Sequence, residues 1–335
     1  MEQTLKKRRV ILDVDTGSDD AVAIMSAILS GELDVLGICC VHGNLPIEYT
    51  TDNTLRVVQL LGANVPVFRG CGFPLVMDLT PGRRVNAGEV HVDHIVDGKV
   101  MAVHEKALPL PAPTIHEEKE HACSWMFRTL MESEEPITLI PVGAMTNIAT
   151  VLRMDPRVCS HIDEIICMGG GIDVHNRAYR SETNFYNDPE AAKIMINSGV
   201  KITVVGLDAT HSSWFGYEEV EKLRAIKNPA ADFAAEMLYH RIYAANLTGA
   251  RKEPKSALHD VLAVCAAIDP TVLEDVRHQK CDVDISGGIA DGALMVSSRF
   301  CHSVPTLPTY IAYHGNGDKL FSMLCSHLSK YKKPV

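Results

Sequence analysis

No stretch of the chain approaches the roughly 20 consecutive apolar residues that a membrane-spanning helix requires. Contact with a membrane is therefore not expected. The chain also lacks any C-x-x-C pair: its 10 cysteines are scattered over 335 residues, which fits a reducing cytoplasm better than a disulfide framework. The adjacent Cys39 and Cys40 read as buried strand residues. Basic charge is equally sparse. The formal net charge is -10, and the one dense basic run is Lys6, Lys7, Arg8 and Arg9, so there is no broad electrostatic footprint for nucleic acid. That run leads into a short apolar strand, Val10 to Val14, that ends in aspartates and not in the long apolar segment of a signal peptide. With 22% charged against 46% hydrophobic residues, the composition supports a sizeable core and gives no indication of disorder.

Apolar runs of strand length recur at Val10 to Leu12, Val35 to Val41, Ile137 to Pro141, Ile165 to Met168 and Val200 to Val205. Continuous runs of this kind suit strands buried on both faces of a sheet. Helical patterns fall between them: Ala21 to Leu29, stopped by Gly31, then Thr50 to Leu61, His116 to Met131, Ala144 to Arg153, Asp188 to Ser198, Tyr217 to Ala225, Ala230 to Leu247 and Ala257 to Ala267. The alternation predicts an α/β fold with a mostly parallel central sheet flanked by helices. A chain of 335 residues admits two average domains or one large one. Because neither an internal repeat nor a flexible linker is visible, one domain over 1–335 with long loop insertions is the expectation. The segment from Pro74 to Pro113 shows no periodicity and reads as such an excursion.

Asp13 and Asp15 lie two apart at the end of the first strand and so share a face. Asp19 and Asp20 follow across the Thr16-Gly17-Ser18 turn, where a helix begins. Four carboxylates in eight residues exceed what capping and turn formation require. Like charges this close oppose joint ionisation and call for a counter-cation. An oxygen-seeking divalent ion such as Ca²⁺ or Mg²⁺ answers that need. Two rival motifs fail. An EF-hand loop counted from Asp13 needs glutamate at its twelfth position, where Ile24 stands. An aspartate-nucleophile phosphotransferase of the haloacid dehalogenase type needs threonine at the fifth position of D-x-D-x-T, where Gly17 stands.

The run Asp13-Val14-Asp15-Thr16-Gly17-Ser18-Asp19-Asp20-Ala21 resembles the D-x-D-x-G-x-D-D-A signature of the inosine-uridine nucleoside hydrolase family. Further blocks of that family follow in order: Gly43-Asn44, Gly143 to Ala149, Met168-Gly169-Gly170, Glu182-Thr183-Asn184, Asp188-Pro189-Glu190-Ala191 and His259-Asp260. The resemblance implies the Rossmann-like nucleoside hydrolase fold and Ca²⁺-dependent hydrolysis of ribonucleosides to free base and ribose, in nucleoside salvage or catabolism. Carried over by position, it implies that Asp15, Asp20, Asp260 and the carbonyl of Val142 ligate Ca²⁺, with Asp13 supporting them from behind. Asp19 is then the general base that deprotonates the attacking water. Asn44, Met168, Asn176, Glu182 and Asn184 become the residues around the ribose, and His259 is the candidate proton donor to the leaving base. The match loosens at His91-Val92 and Ile95, which makes His91 a weaker substrate candidate, and at Thr183, where a phenylalanine is common. Tyr239, Arg241, Tyr243 and Trp214 are candidates for the base pocket or, equally, for packing. Relatives in such a family commonly form dimers or tetramers, so a homo-oligomer is expected. The alternative of another class is a non-catalytic calcium- and ribose-binding protein on the same scaffold.

Overall fold

The computed structural model describes residues 6–80, 83, 94–96, 99–101, 103–247, 253–297 and 307–333, with the backbone alone at 78, 94–96, 99–101 and 247. The strands are β1 (Arg8–Val14), β2 (Leu33–Cys40), β3 (Val67–Arg69), β4 (His94–Val96), β5 (Lys99–Met101), β6 (Ile137–Pro141), β7 (Ile162–Met168), β8 (Ile202–Val205), β9 (Leu273–His278), β10 (Cys281–Val283), β11 (Leu294–Val296) and β12 (Thr309–Gly315). The helices are α1 (Ser18–Ser30), α2 (Ile47–Leu61), α3 (Ala122–Glu132), α4 (Thr146–Met154), α5 (Thr183–Asn187), α6 (Pro189–Ile196), α7 (Leu207–Thr210), α8 (Tyr217–Arg224), α9 (Pro229–Leu247), α10 (His259–Ile268) and α11 (Gly317–Ser329).

Among the described residues, eight strands form one sheet in the order β3-β2-β1-β6-β7-β8-β12-β9. All neighbours pair in parallel except β9, which runs antiparallel to β12 at the edge. Strand alternation divides the core into two layers. Val10, Leu12 and Val14 of β1 face a cluster shared with α1, α2, α9, α10 and α11, while Ile11 faces the opposite cluster, shared with α3, α4 and α6. The central strands repeat this: Ile166 and Met168 of β7 belong to the first layer, Ile165 and Cys167 to the second. Burial on both faces is why these strands read as continuous apolar runs. Gly31 and Gly62 end α1 and α2 in the left-handed conformation, with φ of 71° and 58°.

All five strands expected from apolar runs are present, with their ends shifted by up to three residues. The helices from Ala21 to Ala267 are also present, although the one expected from His116 begins at Ala122. No apolar run or helical pattern announces strands β3, β4, β5, β9, β10, β11 and β12 or helices α5, α7 and α11. β9 is mostly exposed along its length, so no apolar run marks it. The Pro74 to Pro113 excursion carries the small β4–β5 hairpin, and residues 81–82 and 84–93, which include His91, lie outside the described part.

Candidate active site

The sheet order turns at β1: β2 and β3 continue to one side, while β6, the next strand of this sheet in sequence, lies on the other. Open parallel sheets bind ligands beyond the carboxyl ends of strands at such a switch point. Asp13 and Asp15 stand at the carboxyl end of β1, Asn44 follows β2, and Val142 follows β6. Asp19 and Asp20 occupy the first turn of α1, and Asp260 the first turn of α10.

Backbone geometry makes room for this crowding. A Cβ on Gly43 would lie 2.0 Å from Asp15 Oδ2, and one on Gly143 would lie 2.9 Å from the Asp15 carboxyl carbon. The two glycines therefore form a slot around the Asp15 side chain. Asn44 holds that side chain with its backbone N–H on Oδ2 at 2.7 Å and its amide on Oδ1 at 3.2 Å, and the same amide reaches Asp20 Oδ2 at 3.1 Å. Asp20 also accepts from the Gly17 N–H at 2.9 Å and the Asp15 N–H at 3.2 Å. Asp13 lies behind this layer and is fully buried. Asn147 donates to its Oδ1 at 2.7 Å, while Oδ2 has no hydrogen-bond partner among the described residues.

Asp19, Asp20 and Asp260 each bring a carboxylate oxygen within 4.8 Å of the others. Asp15 stands one step back, with both oxygens engaged by Asn44. Burial, and then the neighbouring carboxylates, push Asp15 and Asp260 well above the usual range; Asp20 rises to about 6 for the same reasons, burial first and Asp19 second. Asp19 is the exception. Burial alone would raise it too, but the Arg241 guanidinium 2.6 Å away holds it below the usual range. A buried, all-oxygen donor set with three carboxylates driven toward protonation, and a fourth behind them with an orphaned oxygen, fits a hard divalent cation. Among the described residues, the cluster brings together carboxylates and not the nitrogen and sulfur ligands that zinc favours.

The cluster opens into a cavity of about 230 Å³ lined by Asp19, Asn44, Val142, Met168, Asn176, Glu182, Asn184, His259 and Asp260, whereas Asp13, Asp15 and Asp20 are not among its described lining residues. Asn184 donates from its amide to the Val142 carbonyl at 2.7 Å and to the Met168 carbonyl at 3.1 Å. Glu182 begins α5, and its Oε2 collects the N–H groups of Gly170 and Asn184, each at 2.9 Å, and of Phe185 at 3.3 Å. Burial pushes Glu182 up to about 7 against these donors. Thr183 donates from its N–H and its hydroxyl to Asn176 Oδ1, at 3.0 and 3.2 Å. The residue that departs from the family pattern thus fixes the asparagine beside it.

His259 departs from expectation in its charge. Its Nδ1 is 2.8 Å from the Thr210 hydroxyl, and burial, with the Arg241 charge nearby, pushes it down to about 3. Both effects favour the neutral imidazole over the charged one. His211 packs against His259 at 5.6 Å and against Trp214 at 4.6 Å between ring centroids, so Trp214 approaches the site through His211. Tyr239 and Tyr243 stack on each other at 6.4 Å and are not among the described lining residues, whereas Arg241 is. Sequence reasoning missed His104, Val103 and Arg177, which also line the cavity. His104 and Val103 come from the excursion that has no periodicity. A Cβ on Gly17 would lie 2.0 Å from the His104 Nδ1, and the Ser18 N–H donates to the same atom at 3.3 Å.

The family described as inosine-uridine preferring nucleoside hydrolase matches residues 10–320. Over 331 residues, which is 97% of this chain and 99% of the relative, it is 34% identical to a pyrimidine-specific ribonucleoside hydrolase RihA of Photobacterium profundum. It is 36% identical over 274 residues to a protein of the same description from Escherichia coli, covering 80% of this chain and 82% of that one. A solved purine-preferring ribonucleoside hydrolase from Gardnerella vaginalis superposes with a TM-score of 0.82 at 27% identity, over 96% of this chain and 98% of that one. The plant nucleoside hydrolase PpNRh1 superposes with a TM-score of 0.83 at 25% identity, over 97% and 99%. Together with the acidic pocket at the sheet's switch point, these likenesses show that the chain belongs to the inosine-uridine preferring nucleoside hydrolase family and is a ribonucleoside hydrolase.

Proposed function

We propose that the chain is a calcium-dependent hydrolase of the N-glycosidic bond that prefers pyrimidine ribonucleosides and works in nucleoside salvage or catabolism as one cytoplasmic domain. The observation that carries the reading is the buried meeting of Asp19, Asp20 and Asp260, with Asp15 behind them, at the floor of a cavity lined by Asn44, Glu182 and Asn184. Asp15, Asp20, Asp260 and the Val142 carbonyl are the groups assigned to hold Ca²⁺. When bound, the ion supplies positive charge that orients ribose hydroxyls and acidifies a water.

Asp19 is kept ionised by Arg241 and takes the proton from the water that attacks the anomeric carbon. With Oε2 of Glu182 occupied by three N–H donors, its Oε1 is left to face the sugar. Asn44, Asn176 and Asn184 offer amides that both donate and accept, as hydroxyl recognition requires. The carboxylates around the sugar favour the positive charge that develops as the base departs. His259, neutral in this setting, serves the leaving base as a hydrogen-bond donor through its Nε2, with Nδ1 held by Thr210. The pyrimidine preference rests on the description of the relatives that are 34% and 36% identical.

The test is release of reducing sugar from uridine, cytidine, inosine and guanosine with Ca²⁺ supplied. Higher kcat/KM for uridine and cytidine supports the proposal, and higher values for inosine and guanosine overturn the preference. Binding of ribose without cleavage of any nucleoside would establish the non-catalytic alternative.

A further inference from the structure

Arg241 does more in this structure than hold Asp19 ionised. It projects from α9, and its side chain is 8% exposed. Its Nη1 donates to Asp19 Oδ1 at 2.6 Å and to Ser18 Oγ at 2.9 Å, and its Nε donates to the Ala257 carbonyl at 3.1 Å. Ser18 and Asp19 open α1, while Ala257 lies two residues before the start of α10, which carries His259 and Asp260. One guanidinium thus joins the two stretches of chain that bring the acidic cluster together, although Arg241 lies 222 residues from Asp19 in sequence. A guanidinium presents its donors in a fixed planar fork, whereas a lysine ammonium is a compact charge on a flexible stem. The arrangement therefore specifies more than a counter-charge. The contact with Nη1 pins Oδ1 of Asp19 on the Arg241 side.

We propose that Arg241 is a positioning residue for Asp19, fixing which carboxylate oxygen faces the reacting water and holding the opening of α1 in register with the opening of α10. The inference rests on the reading of Asp19 as the general base. A displacement of about 1 Å at a reacting group costs on the order of 100-fold in rate, so the loss falls on kcat and not on substrate capture.

The experiment uses the full chain supplied with Ca²⁺ and the nucleoside that it cleaves best, comparing Arg241→Lys, Arg241→Ala and Asp19→Asn. Arg241→Ala is expected to lose about 100-fold in kcat and Arg241→Lys at least about 10-fold, with KM held within about 3-fold. Calcium affinity by calorimetry stays at the wild-type value, and added guanidinium ion at tens of millimolar restores at least about 10-fold of the kcat lost in Arg241→Ala while leaving Asp19→Asn inactive. If Arg241→Ala does not fold, Arg241→Lys, which keeps the charge, carries the same test. A wild-type kcat in Arg241→Lys overturns the proposal, as does a loss confined to KM. Asp19→Asn with undiminished kcat defeats the reading of the base itself. An inactive Asp19→Asn beside a fully active Arg241→Lys defeats only the positioning role.

Discussion

Glu182→Gln offers a perturbation whose size follows from the structure. Glu182 is 2% exposed, and one of its oxygens accepts from three backbone N–H groups, yet burial still pushes it from the ordinary 4.5 up to about 7. The gap between those values corresponds to roughly 3 kcal/mol, at about 1.4 kcal/mol per pH unit. Its sign is fixed by linkage. Because the folded-state value is raised, the stabilising contribution is fully present below pH 4.5 and is lost as pH rises through about 7, since the unfolded chain releases its proton first. A glutamine keeps a carbonyl oxygen for the three N–H donors and has no proton to lose. Urea unfolding of both proteins at pH 4.5 to 8, in chelator so that no cation contributes, should show wild-type stability falling by about 3 kcal/mol relative to Glu182→Gln. The mutant serves as the reference that cancels every other titrating group. A flat difference across that range would refute the buried, raised carboxylate. A difference that grows in the opposite direction would mean that Glu182 is paired with a cation strongly enough to reverse the effect of burial.

Two further outcomes separate the roles around the cluster. Asp19→Ala should lower kcat by about 10²–10⁴ while calorimetry still detects calcium binding, because Asp19 is assigned to the proton and not to the metal; loss of binding along with turnover would mean that ligand and base have been exchanged. Asn147→Ala removes the donor to Asp13 Oδ1 and leaves that buried carboxylate without a described partner on either oxygen. Denaturant unfolding should register a loss of about 1–3 kcal/mol, and an unchanged midpoint would show that Asp13 does not depend on Asn147.

The acidic cluster was legible because its chemistry is local. Asp13, Asp15, Asp19 and Asp20 fall within eight residues, and a strand end followed by a tight turn is enough to converge them. Asp260 and Val142 became legible only through the resemblance of whole blocks, since nothing near either residue announces a metal ligand. The sheet was readable where strands are buried on both faces and failed at β9, which is exposed along most of its length. His104 could not be assigned because a loop side chain reaches the site by a path that no periodicity encodes. The role of His259 was read from the ordinary titration of a histidine, whereas its burial beside Arg241 decides the charge it carries. Sequence shows which residue types are available; the depth at which the fold places them sets their protonation.

The central claim is that a divalent cation held by the buried carboxylates is required for ribonucleoside cleavage. The most direct measurement strips the protein with chelator, follows reducing-sugar release from uridine, and titrates Ca²⁺ back. The account predicts no turnover in the stripped protein, saturable recovery with added Ca²⁺, and no recovery in Asp260→Ala. Full turnover by the stripped, metal-free protein would contradict it.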